Sequence, residues 1–308
     1  MSLRDVLVRT FVPALFLVSL HAQSAPRDPL ILAETTQKIT PHVLVIPDSD
    51  TTPGVPNIGI VVGSRAALVI DTGMGDRNGR TVLAETLKAA PGRTLYLVTT
   101  HVHPEHDLGA NAFPPETQMI RSADQEKDIA EFNLQMAQVF SSRSAVNAGL
   151  LKGATFRKAN IHFDDRYDLD LGGVKVRILA MGPNHTRGDT AIFVETDQVL
   201  FSGDIAMRGQ PSFASPYSSV AHWLTSLDTL ATLQPKIIVP SHGPMGDTSF
   251  LNNYRTYLTI IRDRTDALKK QGRSVDETVK TITAQMQPTY PDAGRLAGAI
   301  RAAYAEAH

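Results

Sequence analysis

Thr99-Thr100-His101-Val102-His103-Pro104-Glu105-His106 packs three imidazoles and a carboxylate into the six residues from His101 onward, at the end of an apolar run. Packing offers no reason for such density. Neutral imidazole and carboxylate are ordinary zinc ligands, and a catalytic zinc keeps one coordination position open for water. The run at 94–99 reads as a buried strand whose end delivers the cluster to a loop, the place where ligands gather in open α/β sheets. Upstream, residues 42–46, 58–62 and 66–70 are short, β-branched and bounded by Pro, Gly or Asp, and they read as strands. Between them and the cluster, 77–90 carries Val82, Leu83, Leu87 and Ala90 at helical spacing, and Pro91-Gly92 ends that helix.

Downstream the pattern recurs. Strands are expected at 174–180, 191–195, 199–201 and 237–239, and each is followed by a polar turn that carries a further candidate ligand or leads to one. His185 lies in Gly182-Pro183-Asn184-His185-Thr186-Arg187-Gly188-Asp189, Asp204 follows Phe201-Ser202-Gly203, and His242 follows Ile238-Val239-Pro240-Ser241. Residues 220–233 form an amphipathic helix with Trp223, Leu224, Leu227, Leu230 and Ala231 facing inward, and 254–270 resembles it. After Gly272, two helices separated by 288–291 read as a packing appendage. No linker rich in Pro, Gly or Ser divides the chain, so residues 26–308 are expected to be one domain ending in this helical appendage.

Composition narrows the chemistry. The 308 residues carry 30 basic and 31 acidic side chains, and no Lys/Arg stripe suits a phosphate backbone, so nucleic acid is not an expected partner. There is no cysteine, which excludes disulfides, thiolate ligands and thiol nucleophiles. Residues 1–25 read as a signal peptide: Arg4 and Arg9 precede an apolar segment at 11–20 that ends in Ala22-Gln23-Ser24-Ala25. That segment is far shorter than the ~20 residues a membrane-spanning helix needs. The expectation is therefore a periplasmic or secreted protein with no stable membrane anchor after cleavage.

The histidine box and the three later ligands, taken in order, make the chain resemble the metallo-β-lactamase superfamily of metallohydrolases. The resemblance implies a mixed α/β fold, a four-layered αββα sandwich, with a dinuclear site between its sheets that normally holds two zinc ions. By that resemblance, His101, His103 and His185 hold the first metal, Asp204 bridges, and Glu105, His106 and His242 complete the second. Asp71 matches the aspartate that ends an early strand, and carboxylates of this kind steady ligating histidines through the ring's other nitrogen. Glu105 and Asp204 are the expected acid–base groups. The family places aspartate where this chain has Glu105, a side chain longer by about 1.5 Å. Three readings of Glu105 follow: a shifted loop keeps it as ligand, the second metal site is weak or empty, or the carboxylate acts as a base.

His42, His162, His222 and His308 read as surface or satisfied core residues. Gly73, Gly75, Gly188 and Gly203 read as tight-turn glycines. The wording of the motifs resembles exported β-lactamase-like and quinoprotein-relay members. The expected reaction is hydrolysis of a small ester, thioester, lactone or β-lactam by a metal-activated water. Two alternatives stay open: a metal-binding relay partner of a quinoprotein system without turnover, and iron-dependent oxygen or nitric-oxide chemistry.

Overall fold

The computed structural model describes residues 28–48, 54–207 and 212–307. The signal peptide expected at 1–25 and His308 lie outside these residues. Seven strands form the first sheet in chain order: β1 (Gln37–Lys38), β2 (Val43–Ile46), β3 (Ile58–Val62), β4 (Ala66–Ile70), β5 (Thr94–Val98), β6 (Gln118–Ser122) and β7 (Ile161–Phe163). The β1 to β4 pairs are antiparallel, and β4 through β7 run parallel. The second sheet, in the order β12-β11-β10-β9-β8, comprises β8 (Arg166–Asp170), β9 (Lys175–Ala180), β10 (Thr190–Val194), β11 (Val199–Gly203) and β12 (Ile237–Pro240).

Period-two alternation sorts the strand residues into layers. In β4, Ala66, Leu68 and Ile70 point between the sheets and meet Val176, Ile178, Ile192 and Phe201 of the second sheet. Ala67 and Val69 of the same strand point outward, against Val82 of helix α1 (Gly75–Ala89). On the far side, Ala191, Phe193, Leu200 and Ile238 are covered by Trp223, Leu224, Leu227 and Leu230 of a helix at Val220–Thr232. Helix, sheet, sheet, helix is the αββα sandwich that the resemblance implied.

Between α1 and the Val220–Thr232 helix come α2 (Pro104–Asp107), α3 (Ala123–Phe132), α4 (Gln135–Ser141) and α5 (Ala145–Leu150); that helix is α6. Helices α7 (Ser249–Lys270), α8 (Val275–Met286) and α9 (Ala293–Glu306) follow. Ile282, Met286, Leu296 and Ile300 join the same core as Trp223, so the last two helices pack where the appendage was expected. Two details depart from the helical readings. Leu87 is 46% exposed and Ala231 is exposed, each at the margin of its helix's apolar stripe.

Candidate metal centre

The chain ends five strands or strand-following turns along one rim of the sandwich. Asp71 follows β4, the histidine box follows β5, His185 sits in the β9–β10 turn, Asp204 follows β11 and His242 follows β12. Local chemistry sets each residue's aim. Asp71 occupies the left-handed region at φ 63, a conformation that costs a non-glycine residue energy and is held only by its surroundings. Its Oδ1 accepts from the Thr100 backbone N–H at 2.7 Å, and its Oδ2 accepts from the Thr100 hydroxyl at 3.0 Å and faces His106 Nδ1 at 2.8 Å. Asp71 therefore fastens both ends of the box. Gly203, at φ 59, coincides with a register irregularity between β11 and β12, a kink of the kind that re-aims the next side chain, here Asp204.

The seven predicted ligands converge. Donor atoms of His101, His103 and His185 lie within 4.8 Å of one another, as do those of His101, His106 and Asp204, and those of Glu105, His106 and His242. His101 belongs to the first two triads and His106 to the last two. The three groups thus form one continuous cluster, with Asp204 between its ends. His101 Nε2 and His185 Nε2 approach His103 Nδ1 at 3.0 and 3.2 Å.

Four of the five rings have a partner on the far nitrogen, Asp71 serving His106. His185 Nδ1 donates to the Phe213 carbonyl at 2.5 Å, and His242 Nδ1 to the Val55 carbonyl at 3.0 Å; a carbonyl only accepts, so in both rings Nε2 keeps a free lone pair. The Thr100 hydroxyl spends its proton on Asp71, which leaves a lone pair to accept from His101 Nδ1 at 3.2 Å.

Titration behaviour splits the cluster. Burial, and then the neighbouring His106, push His101 well below its ordinary value; burial and His185 do the same to His103. Burial also opposes charge on His106, but the charge and hydrogen bond of Asp71 outweigh it and raise this ring to about 9. His242 is raised as well, because the Asp48 carboxylate, 3.7 Å from Nδ1, and Asp204 overcome its burial. Asp204 lies well below the usual carboxylate range: burial acts against its charge, and His185, His242, His106 and His103 prevail.

Divalent metal fits this donor set. Glu105 Oε2, His106 Nε2 and Asp204 Oδ1 are buried with no hydrogen-bond partner among the described residues. Leaving such an atom unmade costs about 1–3 kcal/mol, and a cation shared among them removes that cost. Glu105 Oε1 lies 3.8 Å from His106 Nε2. The longer side chain does bring its carboxylate into the group.

Several supporting residues escaped sequence reading. Asp189, quoted only as part of a motif, accepts from the His185 and Thr186 backbone N–H groups at 2.6 and 3.1 Å and so sets the His185 turn. Asp107 takes both amino groups of the fully buried Arg121 and the Thr99 hydroxyl, which locks α2, the single turn that carries Glu105 and His106. Asn57 donates to the Pro240 and Gly243 carbonyls at 2.7 and 2.9 Å and so ties the His242 loop to the first sheet. Among the described residues, the remaining histidines stay apart from the cluster: His42 pairs with Asp197, His222 meets the Met181 carbonyl, and His162 faces Glu126.

Comparison with known proteins follows the same lines. A family model described as the metallo-beta-lactamase superfamily matches residues 51–242. A linear primary-alkylsulfatase of Pseudomonas sp. is 27% identical over 256 residues, covering 70% of this chain and 47% of the relative. The chain therefore spans about half the length of that enzyme. The acyl-coenzyme A thioesterase MBLAC2 of Gallus gallus is 29% identical over 205 residues, 61% of this chain and 73% of the relative. Among solved structures, a metallo-beta-lactamase from Pontibacter korlensis superposes with a TM-score of 0.58 at 20% identity, covering 73% of this chain and 98% of that one.

Proposed function

The chain belongs to the metallo-β-lactamase superfamily, and on that premise we propose that it is an exported hydrolase whose seven converging side chains hold two zinc ions and cleave a small ester, thioester, lactone or β-lactam. One observation carries the reading: three buried ligand atoms, on Glu105, His106 and Asp204, lack hydrogen-bond partners within a cluster of seven convergent side chains. The alkylsulfatase relative adds the sulfate ester to the bonds considered, and the thioesterase relative supports the thioester.

In this reading His101, His103 and His185 would hold one ion and Glu105, His106 and His242 the other, with the Asp204 carboxylate, grouped with His101 and His106, contributing between them. Zinc, when bound, brings the pKa of a water toward ~7 and polarises the bond under attack. The chain's own groups do the rest. Asp71, Asp48 and the Val55 and Phe213 carbonyls fix ring orientation through the far nitrogens, which is how outer partners tune ligand basicity. The oxygens of Glu105 and Asp204 that lack hydrogen-bond partners could take up the proton released by attacking water. Cleavage of the leader at 1–25 would place this chemistry in the periplasm or medium.

Metal analysis of purified protein, followed by rates on p-nitrophenyl acetate, an acyl-coenzyme A, an alkyl sulfate and a chromogenic β-lactam, tests the proposal. Two zincs per chain and metal-dependent turnover of at least one substrate are expected. One ion and no turnover favours the relay reading, and coloured iron-loaded protein favours redox chemistry. Mass spectrometry of the exported protein should find an N-terminus near Ala25 or Pro26.

A further inference from the structure

One cavity, about 510 Å³, is lined by residues that include Asp76, Arg77, Arg80 and Lys152 and by none of the seven clustered residues. A smaller one, about 310 Å³, does: His103 forms part of its wall, beside Val102, Phe132, Met136, Arg187 and Tyr217. That volume sits at the lower end of the range for small-molecule pockets.

Its walls select against charge. The Arg187 guanidinium donates to Glu131 Oε2 at 2.7 Å, lies 3.6 Å from Asp128 Oδ1 and stacks 4.7 Å from the Tyr217 ring. Tyr217 in turn donates its hydroxyl to Glu131 and packs its ring 5.5 Å from Phe132. The cation is therefore neutralised by carboxylates and covered by an aromatic face, and it leaves no free positive charge for an anionic group. Exposure gives a second, independent indication. Among the described residues, the exposed large hydrophobics are Leu87, Met136, Val139, Phe213 and Tyr217. Met136 and Val139 belong to α4, and Phe213 and Tyr217 to the loop that supplies the His185 partner carbonyl. Four of the five thus gather on the two segments that flank the cavity mouth. Apolar surface concentrated beside a polar site marks a ligand groove.

We infer that this cavity receives an unbranched aliphatic chain, so that the substrate is an amphiphile whose hydrolysable polar head lies at the His103 end of the cluster. The inference rests on the hydrolase reading above and names its substrate class. Head and tail are then read separately: donor atoms hold the head, and Val102, Phe132, Met136 and Tyr217 hold the tail.

A p-nitrophenyl ester series from acetate to decanoate, at submicellar concentration with zinc-loaded protein, tests it. Each added methylene should raise kcat/KM by about threefold to fourfold until the cavity is full, the rate equivalent of ~0.8 kcal/mol per buried CH2. Met136→Lys and Phe132→Ser, both at partly exposed positions, should each lower the decanoate-to-acetate ratio by about tenfold or more, whereas Met136→Leu keeps it within about twofold. Leu87→Lys, on the remote face of α1, should leave the ratio unchanged. A flat series, or a rising one indifferent to both Met136→Lys and Phe132→Ser, overturns the inference while leaving the hydrolase reading intact. If no ester turns over, calorimetry with octyl sulfate separates the two ideas. Binding weakened at least about fivefold by Met136→Lys keeps the tail pocket while only the ester part of the hydrolase reading falls, and absence of binding removes the pocket as well.

Discussion

The rings of His101 and His106 have centroids 4.1 Å apart, yet burial pushes one far below its ordinary value while Asp71 lifts the other to about 9. The same contrast divides the whole cluster. At the end formed by His101, His103 and His185, the known partners of the far ring nitrogens are a hydroxyl and a carbonyl, and lone pairs stand ready. At the end formed by Glu105, His106 and His242, carboxylates stand behind the rings, and Glu105 itself adds charge. An imidazole's character here is set by what touches its other side. At the first end His101 and His103, both held well below their ordinary values, offer nitrogen with little competition from protons, and the acidic end offers charge compensation to a dication at the cost of exchanging a proton.

The largest expected effect addresses both ends at once. Chelation should abolish hydrolysis by about a thousandfold or more, with recovery on adding zinc, because activated water depends on the ion. Zinc affinity should also fall between pH 7.5 and pH 5.5, since protons compete for the same imidazole lone pairs. Activity that survives chelation breaks the comparison outright. Next, His103→Ala strikes only the first end: kcat/KM should drop by about a hundredfold or more, while metal analysis still finds an ion at the acidic end. Equal loss of both ions would show that the ends do not act separately. Asp71→Asn should weaken zinc at the acidic end by about ten- to a hundredfold, read by titration against a competing chelator, with a smaller loss at the other end, which Asp71 reaches only through Thr100. Glu105→Asp installs the family's shorter residue and should change kcat/KM by less than about tenfold, because a small loop shift can recover a reach of about 1.5 Å. The smallest effect sharpens the boundary: His162→Ala, on an exposed ring outside the cluster, should stay within about threefold.

Much of the scaffold was visible in the chain before its coordinates. Residues 58–62 and 66–70 coincide with β3 and β4, since β-branched runs punctuated by Pro, Gly and Asp have few other solutions. All seven clustered donors were also readable, because strand-then-polar-turn spacing repeats along the rim. The stretch at 114–173 was not read, and its residues show why. Strand β6 reads Gln-Met-Ile-Arg-Ser, whose arginine would ordinarily argue for a surface, but Arg121 is fully buried because Asp107, fourteen positions earlier, grips it. Helices α3 to α5 are short; α3 and α4 line the cavity beside His103, while Ala137, Phe140 and Leu150 join a small apolar cluster with Met74 and Leu108 apart from the main core. Asp48 and Asn57 fell for a related reason: their partners lie in the His242 loop almost two hundred positions away, a distance that no local pattern encodes.

The donors come from both sheets, the box from the first and His185, Asp204 and His242 from the second. Any ion seated among them acts as a rivet through the middle of the sandwich. An ion that binds only the folded state deepens that state by mass action, so thermal denaturation curves become a gauge of zinc supply that operates even when no substrate is at hand.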